Sequence, residues 1–384
     1  MSSAPQPSVE ESTQPSRPPV SRLCYLGGGL TALDVPGSKI VISPLNGPRL
    51  VEIVDPIFER LFATLTDLGL LVVGCEFFAN IEEVQGLRPA EFRSHTTHRG
   101  WVAYETWEKW RQIAVTAMRA DRLDVGDGAA RIAFEIQAIE HRLLELSRAY
   151  SNQLRRLVVR NELKEYKRFD DLNSGAVIHC IHALFYELCV FRDYLAEFIG
   201  NYILGIKNRK GEPLRKMSGL RSRLVDLSID DPLCREIINV TDPKAEQPGW
   251  LAVLSAYRNV FTHIAPMEHV TTRAFAIQEY VHLKGGRLPI LYHPLPANAL
   301  ELERTRSNGL PFDRFEDWAK ASVGQRPDRT NQPDALEYIH AAVNRMADLA
   351  GRLIARSPIA PKPMHIAPAD MIGPLIINGG GGAI

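Results

Sequence analysis

Three side chains in one apolar-patterned stretch have the chemistry to act together on a phosphodiester. They are Arg258, Asn259 and His263, in the segment WLAVLSAYRNVFTHIAP from Trp250 to Pro266. A guanidinium stays charged and presents planar, paired donors to the nonbridging oxygens of a phosphate gaining negative charge. An imidazole titrates near neutrality, so it can accept a proton from a ribose 2′-hydroxyl or give one to a leaving oxygen. An amide between them can hold either group in place. Trp250, Leu254, Tyr257 and Phe261 recur in steps of four, three and four, which predicts a helix with one buried face. At about 100° per residue, that helix sets Asn259 and His263 one above the other, with Arg258 on the next row. Pro266 ends it, because its ring cannot continue the hydrogen bonding. His263 then lies near a helix C-terminus, where the dipole favours imidazolium and a general-acid role.

Arg88/His95, Arg93/His98 and Arg287/His293 have comparable spacing, but only Arg258 also has an adjacent Asn and an amphipathic helix. His179/His182 and His95/His98 have the i, i+3 spacing of shared metal ligands without a third ligand nearby, so no metal site is expected. The connection from Lys207 to Arg223 carries seven Lys or Arg against one Glu. Within it Lys207, Arg209, Lys210, Arg215 and Lys216 are candidate contacts to an RNA backbone, a solvated basic loop being the alternative reading.

The elements that must position these residues are mainly helical. Ile132, Ile136, Ile139, Leu143, Leu146, Tyr150, Leu154 and Leu157 keep steps of three or four. Val177, Ile181, Leu184, Leu188, Phe191, Leu195, Phe198 and Tyr202 do the same over about Leu172 to Leu204. Two such helices with a short link predict an antiparallel hairpin. Short helices are expected over Leu220–Leu227 and Pro232–Ile238, and further ones near Phe312–Ser322 and Asp334–Ala355. Arg273–Leu283 and Arg287–Leu295, around Lys284-Gly285-Gly286, predict a β-hairpin. Upstream, a helix is expected over Asp55–Leu68 and another over Trp101–Arg122, punctuated by the glycines of Gly126–Gly128. Lys39–Ile42 is β-like, and Gly69–Phe78 reads equally as strand or short helix. The ends, 1–22 and 357–384, are polar or rich in proline and glycine and are expected to be loose.

An Arg-Asn pair followed by a His late in a bundle helix resembles the HEPN superfamily, whose motif is Arg, four to six residues, then His. The resemblance covers the helices from roughly Ala129 to Pro266. It implies a mainly α fold, a HEPN-like antiparallel helical bundle over 126–356 with a small β-hairpin insertion, preceded by a region, 23–125, whose fold the pattern leaves open. It also implies a metal-independent endoribonuclease that leaves a 2′,3′-cyclic phosphate, with Arg258, Asn259 and His263 catalytic and no cofactor. In such proteins an acidic or polar side chain on the long helix faces the motif, which makes Asp193, Glu187 and His182 supporting candidates. The expected partners are RNA, a second copy of the chain in a homodimer, and an antitoxin or other regulatory protein, in a toxin or defence role. The rival expectation is a non-catalytic helical scaffold that binds nucleic acid or a partner. A nucleotide-binding regulator is a weaker rival, because Gly27-Gly28-Gly29 lacks the following Gly-Lys-Ser/Thr of a phosphate loop.

The composition sets bounds on these readings. Forty-five Lys and Arg balance forty-five Asp and Glu in 384 residues, so affinity for nucleic acid must come from a local patch. Five scattered cysteines without a close pair argue against a disulfide framework or a cysteine zinc site and suit a cytoplasmic protein. The first residues lack a signal-peptide core, and no uninterrupted apolar run of bilayer length is seen, so no membrane association is expected.

Overall fold

The structure, a computed structural model, describes residues 21–35, 39–44, 51–54, 60–97, 99–162, 164–166, 168–169, 171–264, 276–283, 286–307 and 332–363. Six strands come first: β1 (Ser21–Leu26), β2 (Thr31–Val35), β3 (Lys39–Ser43), β4 (Val51–Val54), β5 (Val72–Phe78) and β6 (Glu91–Ser94). They form one antiparallel sheet in the order β4-β3-β2-β1-β5-β6. This sheet occupies the region, 23–125, whose fold the pattern left open, so the chain holds more sheet than the small hairpin expected. Gly69–Phe78 resolves as strand because Val72, Val73 and Cys75 are buried beside β1, with Cys24 opposite Cys75 and their sulfurs 3.4 Å apart. Helix α1 (Leu61–Asp67) supplies the described part of the helix expected there, and Pro56 lies outside the described residues. Helix α2 (Ile81–Val84) follows β5.

The helical half begins with α3 (Val102–Arg119), α4 (Leu123–Arg160) and α5 (Leu172–Phe198). Gly126 and Gly128 are not punctuation but the first turns of α4. A Cβ on Gly126 would lie 2.9 Å from Met118 of α3, and one on Gly128 would lie 3.0 Å from Tyr202 after α5. Close helix approach, rather than a break, is what these glycines serve. The pairing of α4 with α5 is antiparallel as expected. Arg131 early in α4 pairs with Glu197 late in α5 at 3.1 Å, while Gln153 late in α4 bonds Ser174 at the start of α5 at 2.9 Å. Asp171 starts α5 with a capping box, accepting from the backbone of Asn173 and Ser174. The expected border at 125/126 falls within α4, and one apolar core runs from Cys24 of the sheet to Leu353.

Helices α6 (Met217–Leu227) and α8 (Trp250–Asn259) pack on α5, α7 (Pro232–Val240) packs on α6 and α8, α9 (Ala299–Ser307) packs on α8, and α10 (Ala335–Ile354) closes the bundle. Strands β7 (Arg168–Phe169), β8 (Ala276–Leu283) and β9 (Gly286–Tyr292) make a second antiparallel sheet, so the expected hairpin is present with a third strand. The helix expected near Phe312–Ser322 and the tails 1–20 and 364–384 lie outside the described residues. Over Leu172–Ile203 the mean hydropathy reaches 1.5, enough by length and composition for a bilayer span, and half of that window is buried inside the bundle.

One buried polar network ties the hairpin to three helices. Asp334 caps α10, accepting from the backbone of Leu336 and Glu337. Its carboxylate also accepts from the Tyr150 hydroxyl at 3.1 Å and from the His293 amide at 2.8 Å. The His293 ring meets Gln153 Oε1 at 2.9 Å. Burial pushes the His293 imidazole down to about 3, so it packs in the neutral state. His293, one of the alternative Arg-spaced histidines, is therefore a core residue. Removing the acceptor by Asp334→Ala leaves buried donors unmet and should lower the unfolding free energy by about 2–3 kcal/mol, with Asp334→Asn losing less. Chemical denaturation checks this, and equal losses for both variants, or none, would show that the network is not the tie.

Candidate nucleic-acid interface

The motif residues sit at a change of helix type. Helix α8 ends at Asn259 and the chain continues as a π turn, Val260–Ile264. Hydrogen bonds in such a turn run from residue i to i+5, so the α-helical register expected to stack Asn259 over His263 does not carry through. Phe261, inside the turn, is buried, and its ring stacks on His182 of α5 at 5.4 Å between centroids. Phe185 of α5 also meets Phe261 at 5.4 Å. This aromatic packing fixes where the turn lies. His263 belongs to the turn, and its side chain lies outside the described residues.

Arg258 and Asn259 line a groove of about 520 Å³ between α5, α6, α8 and α9. From α5 come Arg192 and Asp193, from the start of α6 come Lys216 and Arg221, and from α9 comes Glu303. Four cationic side chains thus share the groove with two carboxylates. The two signs are not evenly matched in space. Arg192 donates from Nε and Nη2 to Asp193 Oδ1, at 3.0 and 2.9 Å, and from Nη1 to Ser255 Oγ of α8. The same Asp193 oxygen accepts from the Met217 amide at 3.0 Å, putting negative charge at the positive end of α6. Arg221 reaches Asp242 at 3.2 Å. Asn259 donates to Glu303 at 2.6 Å and accepts from Arg258 Nη1 at 2.8 Å. Among the described residues neither the Arg258 guanidinium nor the Lys216 ammonium meets a carboxylate, and Arg258 Nε is buried without a hydrogen-bond partner. A half-buried guanidinium without a carboxylate partner is suited to a phosphate oxygen.

The expected supporting residues divide. Asp193 shares the groove with Arg258, but its hydrogen bonds go to Arg192 and to α6 rather than to Arg258. His182 packs on Phe261, outside the groove lining. Glu187 lies elsewhere, against Glu135 of α4, where burial and the second carboxyl push Glu135 up to about 7. Arg258 is thus held by Asn259, which Glu303 anchors in turn, and not by the acids expected on α5.

The basic connection is a fixed structure. Asn201 grips the backbone of Leu214 on both sides, at 3.0 and 3.1 Å. Arg209 is spent on Asp226, at 2.8 and 2.9 Å, a pairing across a turn that sequence spacing did not reveal. Lys207, Lys210 and Arg215 are exposed and form no ion pair among the described residues, and Lys216 alone of the five reaches the groove with Arg258. Among the described residues no three His, Cys, Asp or Glu side chains converge as a metal set.

Arg192, Arg221, Ser255 and Glu303 are the groove residues sequence reasoning missed. Arg192 adjoins Asp193 and was open to notice. Glu303 was not, because Ala299–Ser307 has its apolar residues, Ala299, Leu300 and Leu302, only in the first turn and shows no helical period. Comparison with protein-family models, with curated proteins and with solved structures finds no match to this chain.

The Glu135 carboxyl, raised from 4.5 to about 7 by burial first and Glu187 second, supplies a pH test of the α4–α5 contact. Its contribution to stability is complete below about 4.5 and is lost as pH rises through about 7. Glu135→Gln removes that loss, so its stability relative to the parent should rise between pH 5 and pH 8 by on the order of 2 kcal/mol. Denaturation curves at the two pH values decide it, and a pH-independent difference contradicts the assignment.

Proposed function

We propose that the chain is a metal-independent endoribonuclease of the HEPN type. The observation that carries this reading is Arg258, without a carboxylate partner, in a groove with Arg192, Arg221 and Lys216. A groove with surplus positive charge and one uncommitted guanidinium fits a single RNA strand passing along α8 and the start of α6. Lys216 contributes to the backbone path at the groove, and Lys207, Lys210 and Arg215 extend it along the basic connection.

Arg258 contacts the nonbridging oxygens of the scissile phosphate, and Asn259, anchored on Glu303, holds the guanidinium in orientation. His263 moves the proton. The 2′-hydroxyl loses its proton and attacks the adjacent phosphorus. The bond from phosphorus to the 5′-oxygen breaks, and the leaving oxygen takes up a proton. The products are a 2′,3′-cyclic phosphate and a 5′-hydroxyl. With one motif His per chain, a homodimer supplies the complementary acid or base from its second copy. A cytoplasmic toxin or defence role, restrained by an antitoxin, is part of the same reading.

The π turn supports a second reading, a helical RNA-binding scaffold without turnover, because it breaks the α-helical alignment of Asn259 with His263. The two separate in one assay. Purified protein is incubated with mixed RNA in EDTA beside His263→Ala and the double variant Arg258→Ala/His263→Ala, each checked for folding by circular dichroism. Cleavage leaving cyclic-phosphate ends is expected from the parent, with a loss of at least about 100-fold in His263→Ala. Equal cleavage by parent and double variant would sink the assignment, whereas binding by the parent without cleavage favours the scaffold.

A further inference from the structure

A second cleft, of about 570 Å³, lies between the first sheet and the outer faces of α3 and α4, away from the basic groove. Its chemistry is the opposite of the groove's. Phe78 and Phe92 of the sheet and Tyr104 and Trp107 of α3 give it ring surface. Glu76, Glu83, Glu91 and Glu140 outnumber Arg88 and Arg148 around it.

Most of these charges are already matched. Glu76 accepts from the Tyr25 hydroxyl at 2.6 Å and from Arg148. Glu91 pairs with Arg93 at 2.8 Å, and Glu83 takes Ala79 and Asn80 donors. Glu140 is different. It is 93 % buried (7 % exposed) and lines the cleft, and one oxygen, Oε1, takes both the amide and the hydroxyl of Ser94, at 2.9 and 2.8 Å. Its Oε2 carries no hydrogen bond among the described residues. That oxygen has no protein donor among the described residues and stays open to the cleft, where a ligand N–H can reach it. The ring wall is suited to positive charge, since the Arg93 guanidinium sits 3.8 Å from the Tyr104 ring centre.

We propose that this cleft binds a small organic cation with a flat aromatic body, an arylalkylammonium or aryl amidinium, whose N–H group pairs with Glu140 Oε2 while its ring packs against Phe92, Tyr104 and Trp107. A neutral aromatic amide would leave the carboxylate's charge uncompensated, and an anion would meet the surplus of Glu side chains. Burial pushes the Glu140 carboxyl up to about 7, against the lowering by the Ser94 hydrogen bonds and the Arg93 charge. The site is independent of the groove, so it stands or falls apart from the RNA reading.

Isothermal titration of the full chain with benzamidine, phenethylamine and tryptamine tests it, with neutral benzamide as the comparison. One-to-one saturable binding of charged probes is expected, with benzamide weaker by about tenfold or more. Glu140→Gln keeps the shape and the Ser94 contact while removing the charge, and should weaken binding by about tenfold. Trp107→Ala, on the wall rather than the floor, should weaken it also, which keeps the test decisive where Glu140→Gln misfolds. Absence of saturable binding by all three charged probes, equal binding of benzamide, or binding unchanged in both variants would overturn the proposal.

Discussion

Two walls of the basic groove, α6 and α8, pack on α5 and the third, α9, packs on α8, and α5 is held at both ends by polar contacts to α4. At its start, Asp171 and Ser174 bond Gln153 of α4, and Gln153 in turn meets His293. At its far end, Glu197 takes Arg131. Between them the helix buries Val177, Ile181, Leu184, Leu188, Phe191 and Leu195. Apolar burial supplies the larger share of the free energy, but it is indifferent to small slides of one helix along another. The terminal hydrogen bonds, buried and directional, set the register. With that register set, Arg192 and Asp193 face α6 and α8, and the groove follows.

Within the groove, electrostatics sorts the arginines into two kinds. Arg192 is neutralised by Asp193, which also satisfies the first turn of α6, so this pair acts as a bracket between three helices. Arg258 has only an amide for company, and that amide is held by Glu303. A guanidinium held by a neutral neighbour keeps its full charge, as the proposed phosphate contact requires, while its Nε stays buried and unmet. The contrast between a structural arginine and an available one is what gives the groove a direction. Lys216 and Asn259 both line the groove, Asn259 bonded to Glu303 of α9.

Long-period features were legible in the sequence, and local exceptions were not. The two long helices, the Asp334-capped α10 and the β8–β9 hairpin all follow from spacing and caps, because each is regular over many residues. The six-stranded sheet was hidden for two reasons. Its strands run four to seven residues, and its central pairing joins β1 to β5 across some fifty residues of chain, which no local period reports. The π turn was hidden because a run of Val260, Phe261, Thr262 reads as ordinary helix, and the widening comes from packing Phe261 beneath His182 and Phe185. Of the site, Arg258 and Asn259 were readable by motif, and Asp193 by its stripe. Glu303 arrived from a helix with no apolar pattern, and Glu187 was misdirected because its neighbour Glu135 lies 52 positions away in the chain.

The central claim is that Arg258 is a phosphate contact in a single-strand RNA groove, and the salt dependence of RNA binding tests it most directly. Anisotropy of a labelled single-stranded RNA is titrated with the parent and with Arg258→Ala between about 50 and 200 mM salt. Loss of one phosphate contact should weaken binding across sequences and lower the slope of log affinity against log salt by about 0.7. Equal affinity and equal slope for parent and variant would mean that Arg258 touches no phosphate, and the account of the groove would be wrong.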